Sequence, residues 1–178
     1  ADLKNGDRIL EVAVGTGRLL ASLAERFPAS EFNGVDLSPA MLARARKRFK
    51  RKAQRATYDL REGSAYALPY ADAGFDALIN TYMLDLLPLE DQPRVLGEFH
   101  RVLKPGGKLL LAYFSNGARR RNRLWPWLAK HFPALLTGCR PIEPQEAVKV
   151  TGFSILAQEE VSQNTFPSAI IVARKNPV

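Results

Sequence analysis

With 178 residues, 46% of them hydrophobic, the chain is long enough for one sizeable core, and a single domain over 1–178 is expected. No apolar run approaches the roughly 20 residues that a membrane-spanning helix needs, and the N-terminus lacks the charged, apolar and small-residue order of a secretory signal, so a cytoplasmic protein is predicted. The formal net charge is +8; the one cysteine, Cys139, excludes an internal disulfide, and with only His100 and His131 beside it no metal site is expected.

The first predicted strand, Arg8 to Val14, carries Glu11-Val12-Ala13-Val14-Gly15-Thr16-Gly17, in which an acid closes an apolar run and two glycines precede a helix starting after Gly17. The next strand, Glu31 to Asp36, closes on a second acid. Ligands of open α/β sheets bind beyond the carboxyl ends of the strands, which is where both carboxylates fall. Gly15 and Gly17 let the backbone turn sharply and a ligand come close. Asp36, acceptor-only when ionised, can take both hydroxyls of a ribose. Glu11 would face the positive end of a ligand, directly or through water. A pyrophosphate would prefer no carboxylate here, and the dinucleotide fingerprint Gly-x-Gly-x-x-Gly is not met, because Ala13, Gly15 and Arg18 stand at its glycine positions.

Ser38 as N-cap and Pro39 at the first helical position open the second helix. Its apolar stripe is Met41, Leu42, Ala45 and Phe49, while Arg44, Arg46, Lys47, Arg48, Lys50, Arg51, Lys52 and Arg55 crowd the rest of it and its exit. These cations read as a solvated face, or as a face attracting anionic lipid or nucleic acid without reading sequence. Strands follow at Thr57 to Glu62 and Phe75 to Thr81, then a helix from about Pro93 to Leu103. Pro105 is expected to stop that helix and Gly106-Gly107 to allow the turn into a strand from Lys108 to Phe114. A helix ending near Thr151-Gly152 and strands at Phe153 to Val161 and Ser168 to Arg174 complete the chain. The alternation predicts an α/β fold: a Rossmann-like seven-stranded, mostly parallel sheet with an antiparallel C-terminal hairpin and helices on both faces.

Glu11 through Gly17, Gly34 through Leu42, Arg61 through Tyr70, Gly74 through Leu84 and Arg101 through Leu111 together resemble the class I S-adenosylmethionine-dependent methyltransferases, near the quinone and phospholipid methyltransferases. The resemblance covers nearly the whole chain and implies S-adenosylmethionine as cofactor. By it, Glu11, Ala13, Gly15, Thr16 and Gly17 form the first binding loop. Asp36 holds the ribose diol, with Leu37 and Met41 beside the adenine. Ser64 and Ala65 face the adenine edge, and Asn80, Thr81 and Met83 close the site from the fourth strand. Two residues depart from the family pattern: Ala13 stands where the first glycine usually lies, and Ser64 replaces an acid that receives the adenine amino group. A serine hydroxyl can accept that bond, but without charge.

The chemistry so implied is in-line displacement at an activated methyl group, for which proximity, orientation and exclusion of water supply most of the acceleration. Asp85, just after the fourth strand, is the candidate general base for acceptors that must lose a proton, or else a helix N-cap. Tyr82 is the candidate for orienting the acceptor, or else a structural tyrosine. Residues 115–150 read as a substrate-side insertion in which Arg119, Arg120, Arg121 and Trp125 would bind a small or lipid-like acceptor, quinone or phospholipid. Tryptophan beside arginine also suits peripheral contact with an anionic membrane. A nucleic-acid partner is disfavoured, since Asn80-Thr81-Tyr82-Met83 is not an Asn-Pro-Pro-Tyr base-methylating motif and no aromatic ladder is present. Binding of the cofactor without turnover is one alternative, kept open by Ala13 and Ser64, and an RNA-modifying or RNA-binding protein is the other, kept open by the basic charge. The first strand begins a few residues after Ala1, without the helices that precede it in family members, so a minimal form and a fragment are both expected readings.

Overall fold

Alternation along the central strands decides which face each helix covers. In β1 (Arg8–Val12), Ile9 points to one face and Leu10 to the other, both fully buried; β4 (Phe75–Thr81) repeats the pattern with Ala77 and Ile79 against Leu78. Strands apolar on both faces need helices on both. α1 (Arg18–Arg26) and α2 (Pro39–Lys52) bury Leu20, Leu42, Ala45 and Phe49 on the Ile9 face. On the Leu10 face, α3 (Gln92–Val102) and α4 (Gln145–Val150) bury Val95, Phe99 and Val148. This computed structural model describes residues 3–116, 125, 127, 139–163 and 166–177.

The remaining strands are β2 (Glu31–Asp36), β3 (Thr57–Glu62), β5 (Leu103–Phe114), β6 (Phe153–Gln163) and β7 (Phe166–Lys175). They join in the order β3-β2-β1-β4-β5-β7-β6, and β7 lies antiparallel between β5 and β6. β1 pairs in parallel with both β2 and β4, so that Val12 sits between Val35 and Asn80. The chain leaves β1 toward one edge of the sheet and returns at β4 toward the other, which makes the β1/β4 junction the topological switch point. The expected seven-stranded sheet with an antiparallel ending is therefore the observed one, and β2, β3 and β4 keep their expected bounds.

β6 and β7 extend slightly beyond their expected bounds, and three other boundaries differ for physical reasons. β1 stops at Val12 rather than Val14 because Ala13 swings into the left-handed region, φ 60. β5 starts at Leu103 rather than Lys108, with the extended chain resuming directly after α3 and passing Gly106 at φ 74. α3 stops at Val102, three residues before Pro105, and there the Lys175 ammonium donates to the carbonyls of His100 and Leu103 at 2.7 and 2.8 Å. That side chain, from the last strand, satisfies carbonyls which the helix end leaves open. The Ser38 cap is as expected, its hydroxyl accepting from the Met41 amide at 3.3 Å.

Gly17 shows why the first loop needs glycine. It lies at φ 68, and a Cβ there would fall 2.8 Å from the Ala45 Cβ, so α1 and α2 cross closely only because the side chain is missing. Of the expected insertion 115–150, residues 139–150 close onto the core: the Ile142 amide donates to the Phe114 carbonyl at 3.0 Å, and Ile142 and Val148 are buried. Arg119, Arg120 and Arg121 lie outside the described residues. Among the described residues no helix is long and apolar enough to cross a membrane.

Candidate active site

Two cavities meet at Ala13 above the carboxyl ends of β1, β2 and β4. The narrower, about 260 Å³, is an almost wholly apolar slot between Val12, Leu37, Ala65, Tyr66, Met83 and Leu87, with Asp36 at its inner end. The wider, about 410 Å³, opens over Glu11, Gly15, Thr16, Leu19, Ser22 and Thr81. An apolar slot accepts a flat base, and a carboxylate at its end accepts hydroxyls.

Asp36 is locked before any ligand arrives. One carboxylate oxygen accepts from the Gly15 amide at 2.7 Å and the other from the Ser38 amide at 2.9 Å. The glycine loop and the N-terminus of α2 thus fix the carboxylate from both sides, and each oxygen keeps a lone pair for a donor.

Glu11 is the opposite case. Its side chain is 2% exposed on the floor of the wider cavity, and Oε2 has no hydrogen-bond partner. Burial pushes its carboxyl up to about 8; the Leu20 amide, hydrogen-bonded to it, works the other way, and the nearby Asp36 charge adds to the rise. A buried acid with an unsatisfied oxygen leaves an acceptor open to a donor arriving from the cavity.

The wall of the slot is held from behind by one stripe of α3. Asp91, Arg94, Glu98 and Arg101 follow helical spacing and reach the segment between β3 and β4. The Tyr66 hydroxyl donates to Asp91 at 2.8 Å, with the Arg94 guanidinium 5.2 Å from the Tyr66 ring. Glu98 accepts from the Leu68 amide at 2.7 Å, and Arg101 donates to the carbonyls of Leu68 and Tyr70 and to Asp72. Ser64 uses its hydroxyl oxygen to accept from the Tyr66 amide at 3.2 Å, which leaves its proton to donate into the slot.

Most of the residues expected to hold the cofactor line one cavity or the other. Gly17, Met41 and Asn80 do not. Gly17 serves the α1–α2 crossing, Met41 lies in the first turn of α2, and the buried Asn80 amide donates to the Val12 carbonyl at 2.9 Å, tying β4 to the end of β1. Val35, Gly63, Tyr66, Leu86 and Leu87 were not singled out from the sequence, yet they line the slot. Gly63 and Tyr66 belong to a stretch whose motif was recognised. For Leu86 and Leu87 the only signal was their position just after β4.

Asp85 is not the helix N-cap that its sequence position also suggested. It lies inside a 3-10 turn, Leu84–Leu86, whose cap position is Met83, and it is fully buried. Its carboxylate accepts from the Phe114 amide at 3.2 Å, and its carbonyl accepts from the Arg140 amide at 3.1 Å. Burial raises its pKa, and Oδ1 has no partner. Asp85 therefore joins the end of β5 to the segment entering α4, and lines neither cavity.

Tyr82 sits at φ 52 just past β4 and donates its hydroxyl proton to Ser168 at 2.8 Å. Because β7 runs antiparallel, its first residue, Phe166, lies at the same sheet edge. Phe114 stacks on Phe166 at 4.8 Å, Trp125 meets it edge-on at 5.3 Å, and Tyr82 lies 6.4 Å away. The expected pair Tyr82 and Trp125 is thus brought into one aromatic cluster beside the carboxyl ends of β4 and β5.

The fold and the paired cavities define an open α/β protein with a crevice at the carboxyl ends of its central strands. Residues 9–107 match the family model described as a methyltransferase domain, more than half of the chain, and the chain belongs to that family. A demethylmenaquinone methyltransferase of Thermus thermophilus is 43% identical over 109 residues, 60% of this chain and 47% of the relative. A second, from Lactobacillus johnsonii, is 32% identical over 176 residues, 95% of this chain and 71% of the relative. The chain spans about half the length of several curated relatives it matches, the Thermus protein among them. Among solved structures, an S-adenosylmethionine-dependent methyltransferase of Methanosarcina mazei superposes with a TM-score of 0.82 at 20% identity, covering 99% of this chain and 95% of that one. The [4+2]-cyclase SpnF superposes at 0.78 and 24% identity, covering 99% and 77%, so the fold by itself does not name the reaction.

Proposed function

We propose that the chain transfers a methyl group from S-adenosylmethionine to a small or lipid-like acceptor of the quinone type. The observation that carries the reading is the buried, half-satisfied Glu11 in the cavity that joins the apolar slot: a ligand with a base, a ribose and a cationic end would suit both. Asp36 would hold the ribose, the slot between Leu37, Ala65 and Met83 the adenine, and Glu11 the ammonium of the methionine end. When bound, the cofactor supplies a sulfonium-activated methyl group, so the chain's own residues have chiefly to bind, orient and exclude water.

The aromatic cluster of Tyr82, Phe114, Trp125 and Phe166 supports an acceptor with a ring. Offset and edge-on ring contacts favour a flat apolar body there. Tyr82, fixed through Ser168, would orient it rather than take its proton. Relatives named as demethylmenaquinone methyltransferases and as a ubiquinone/menaquinone biosynthesis C-methyltransferase support the same acceptor class. A lipid-like acceptor resides in a bilayer, so peripheral contact with an anionic membrane belongs to this reading.

Calorimetric titration with S-adenosylhomocysteine, with NAD in parallel, tests the cofactor. Micromolar binding of S-adenosylhomocysteine alone is expected; binding of NAD instead would overturn the assignment. Mass-detected methylation of demethylated quinones, against phospholipid headgroups, then tests the acceptor.

A further inference from the structure

The charge of this protein is concentrated in one place. Between Asp36 and Asp59 there is no acid, while Arg44, Arg46, Lys47, Arg48, Lys50, Arg51, Lys52 and Arg55 supply eight cations, which equals the whole net charge of +8. The rest of the chain is neutral. Two of the eight have structural duties: Arg46 donates to the Leu60 carbonyl at 2.6 Å and Arg48 to the Thr16 carbonyl at 2.9 Å. The other six, Arg44, Lys47, Lys50, Arg51, Lys52 and Arg55, are exposed, and none has an acidic partner among the described residues.

Helical spacing lines up Arg44, Lys47 and Arg51 opposite the buried stripe of Leu42, Ala45 and Phe49, with Lys50 on the flank. From Arg44 to Lys52 the face runs about 12 Å at 1.5 Å per residue. Such a face repels itself and gains most from a surface carrying many negative charges.

We infer that the outer face of α2 docks the protein on an anionic phospholipid surface. Two further observations favour a bilayer over a nucleic acid. The one aromatic residue of α2, Phe49, is fully buried and packs against Tyr58 with the rings tilted and 4.4 Å apart, so the face offers no ring on which a base could stack. At the N-terminal end of the helix, exposed Leu37 (71%) immediately precedes the N-cap and lines the slot, as does exposed Leu86 (44%). Cations together with exposed leucines suit the boundary between headgroups and acyl chains. The inference rests on the proposed lipid-like acceptor for its purpose only; its physics needs neither cofactor nor acceptor.

The test is vesicle co-sedimentation of the unmodified chain and of a triple variant, Arg44→Gln, Lys47→Gln and Arg51→Gln, with no cofactor present. Vesicles of phosphatidylglycerol mixed with phosphatidylcholine should bind the parent, and vesicles of phosphatidylcholine alone should not. At roughly a factor of five per cation near such a surface, removing three should weaken binding about a hundredfold. Raising salt on the parent should release it, a second readout that does not depend on the variant folding. Equal binding of parent and variant, equal binding to neutral vesicles, or stronger binding to duplex RNA than to the anionic vesicles would overturn the inference. Titration of the same samples with S-adenosylhomocysteine separates the two readings. Loss of vesicle binding with cofactor affinity intact concerns α2 alone, whereas vesicle binding without cofactor affinity would sink the transferase reading and leave the surface standing.

Discussion

Glu11→Gln removes the charge of the buried acid while keeping its shape, and the consequences follow from a carboxyl pushed up to about 8 from an ordinary 4.5. At neutral pH the free protein holds Glu11 mostly protonated. A ligand ammonium requires the ionised form, so binding must release that proton first. Each pH unit below about 8 then weakens binding tenfold, about 1.4 kcal/mol, down to the pKa in the complex. If the ammonium restores the ordinary value, the full span is on the order of 5 kcal/mol. Above pH ~8 an α-amino group begins to lose its own proton, which places the affinity maximum near that value. Calorimetry with S-adenosylhomocysteine between pH 5.5 and 9, in buffers of different ionisation enthalpy, reads both affinity and proton release. The parent should lose about a hundredfold in affinity from pH 8 to pH 6 and release close to one proton at pH 7, while Glu11→Gln should bind more weakly at pH 8 with a flat profile below it. Stability moves the other way. A pKa raised by folding contributes stability that is fully present below 4.5 and is lost as pH rises through about 8, so Glu11→Gln should melt above the parent at pH 8.5. Parental affinity that is flat from pH 6 to pH 8, without proton release, would refute the placing of a cation on Glu11.

Ala13→Gly should raise the melting temperature by a few degrees: the left-handed conformation costs a residue with a Cβ about 1–2 kcal/mol, and glycine gives back part of that gain as backbone entropy. Asp36→Ala should weaken S-adenosylhomocysteine binding by about 1.5–3 kcal/mol, measured by calorimetry, because it removes a charged acceptor and unties Gly15 and Ser38 together. Asp85→Asn should retain turnover and stability, since the amide oxygen can still accept from Phe114 without a buried charge, whereas Asp85→Ala should lose about 1–3 kcal/mol in denaturant melts. Abolished turnover in a folded Asp85→Asn protein would restore a direct catalytic part. Trp125→Ala should raise KM for a quinone-type acceptor several-fold and leave S-adenosylhomocysteine affinity unchanged, because its ring meets Phe166 rather than the nucleoside slot.

Residues whose task is written in local backbone chemistry were legible in the sequence. Gly15, Asp36 and Ser38 could be placed because a glycine turn, a strand-ending acid and an N-cap act within a few positions of themselves. The sheet was legible for a similar reason: apolar strands punctuated by turns carry their own period. What the sequence hid were partners distant along the chain. Nothing near Lys175 shows that its ammonium reaches the open carbonyls of His100 and Leu103 at the end of α3. Asp85 looked like a cap or a base because Asp is common as both; a single 3-10 turn rotates it inward onto Phe114. Tyr66 lay within a recognised motif, yet its contact with Asp91 is set by the packing of α3 and has no sequence signal.

The described residues include three non-glycine residues at positive φ, and two of them, Ala13 and Tyr82, directly follow β1 and β4. Those strands flank the topological switch point, and each strained residue turns the chain where a smooth continuation would fill the crevice. Conformations of this kind persist only when the surroundings over-determine them. Around Ala13 the determinants are visible: the Val14 amide donates to the Val35 carbonyl, the Gly15 amide donates to Asp36, and the Asn80 amide grips the carbonyl of Val12. Around Tyr82 they are the bond from its amide to Ala112 and the bond from its hydroxyl to Ser168. Asn80 therefore shapes the crevice without lining either cavity, and Ser168, on the last strand, does the same from the β4 side. The parallel core and the antiparallel ending meet at this crevice for that reason: β7 brings Ser168 and Phe166 to the edge where β4 ends, placing an aromatic wall beside the two cavities.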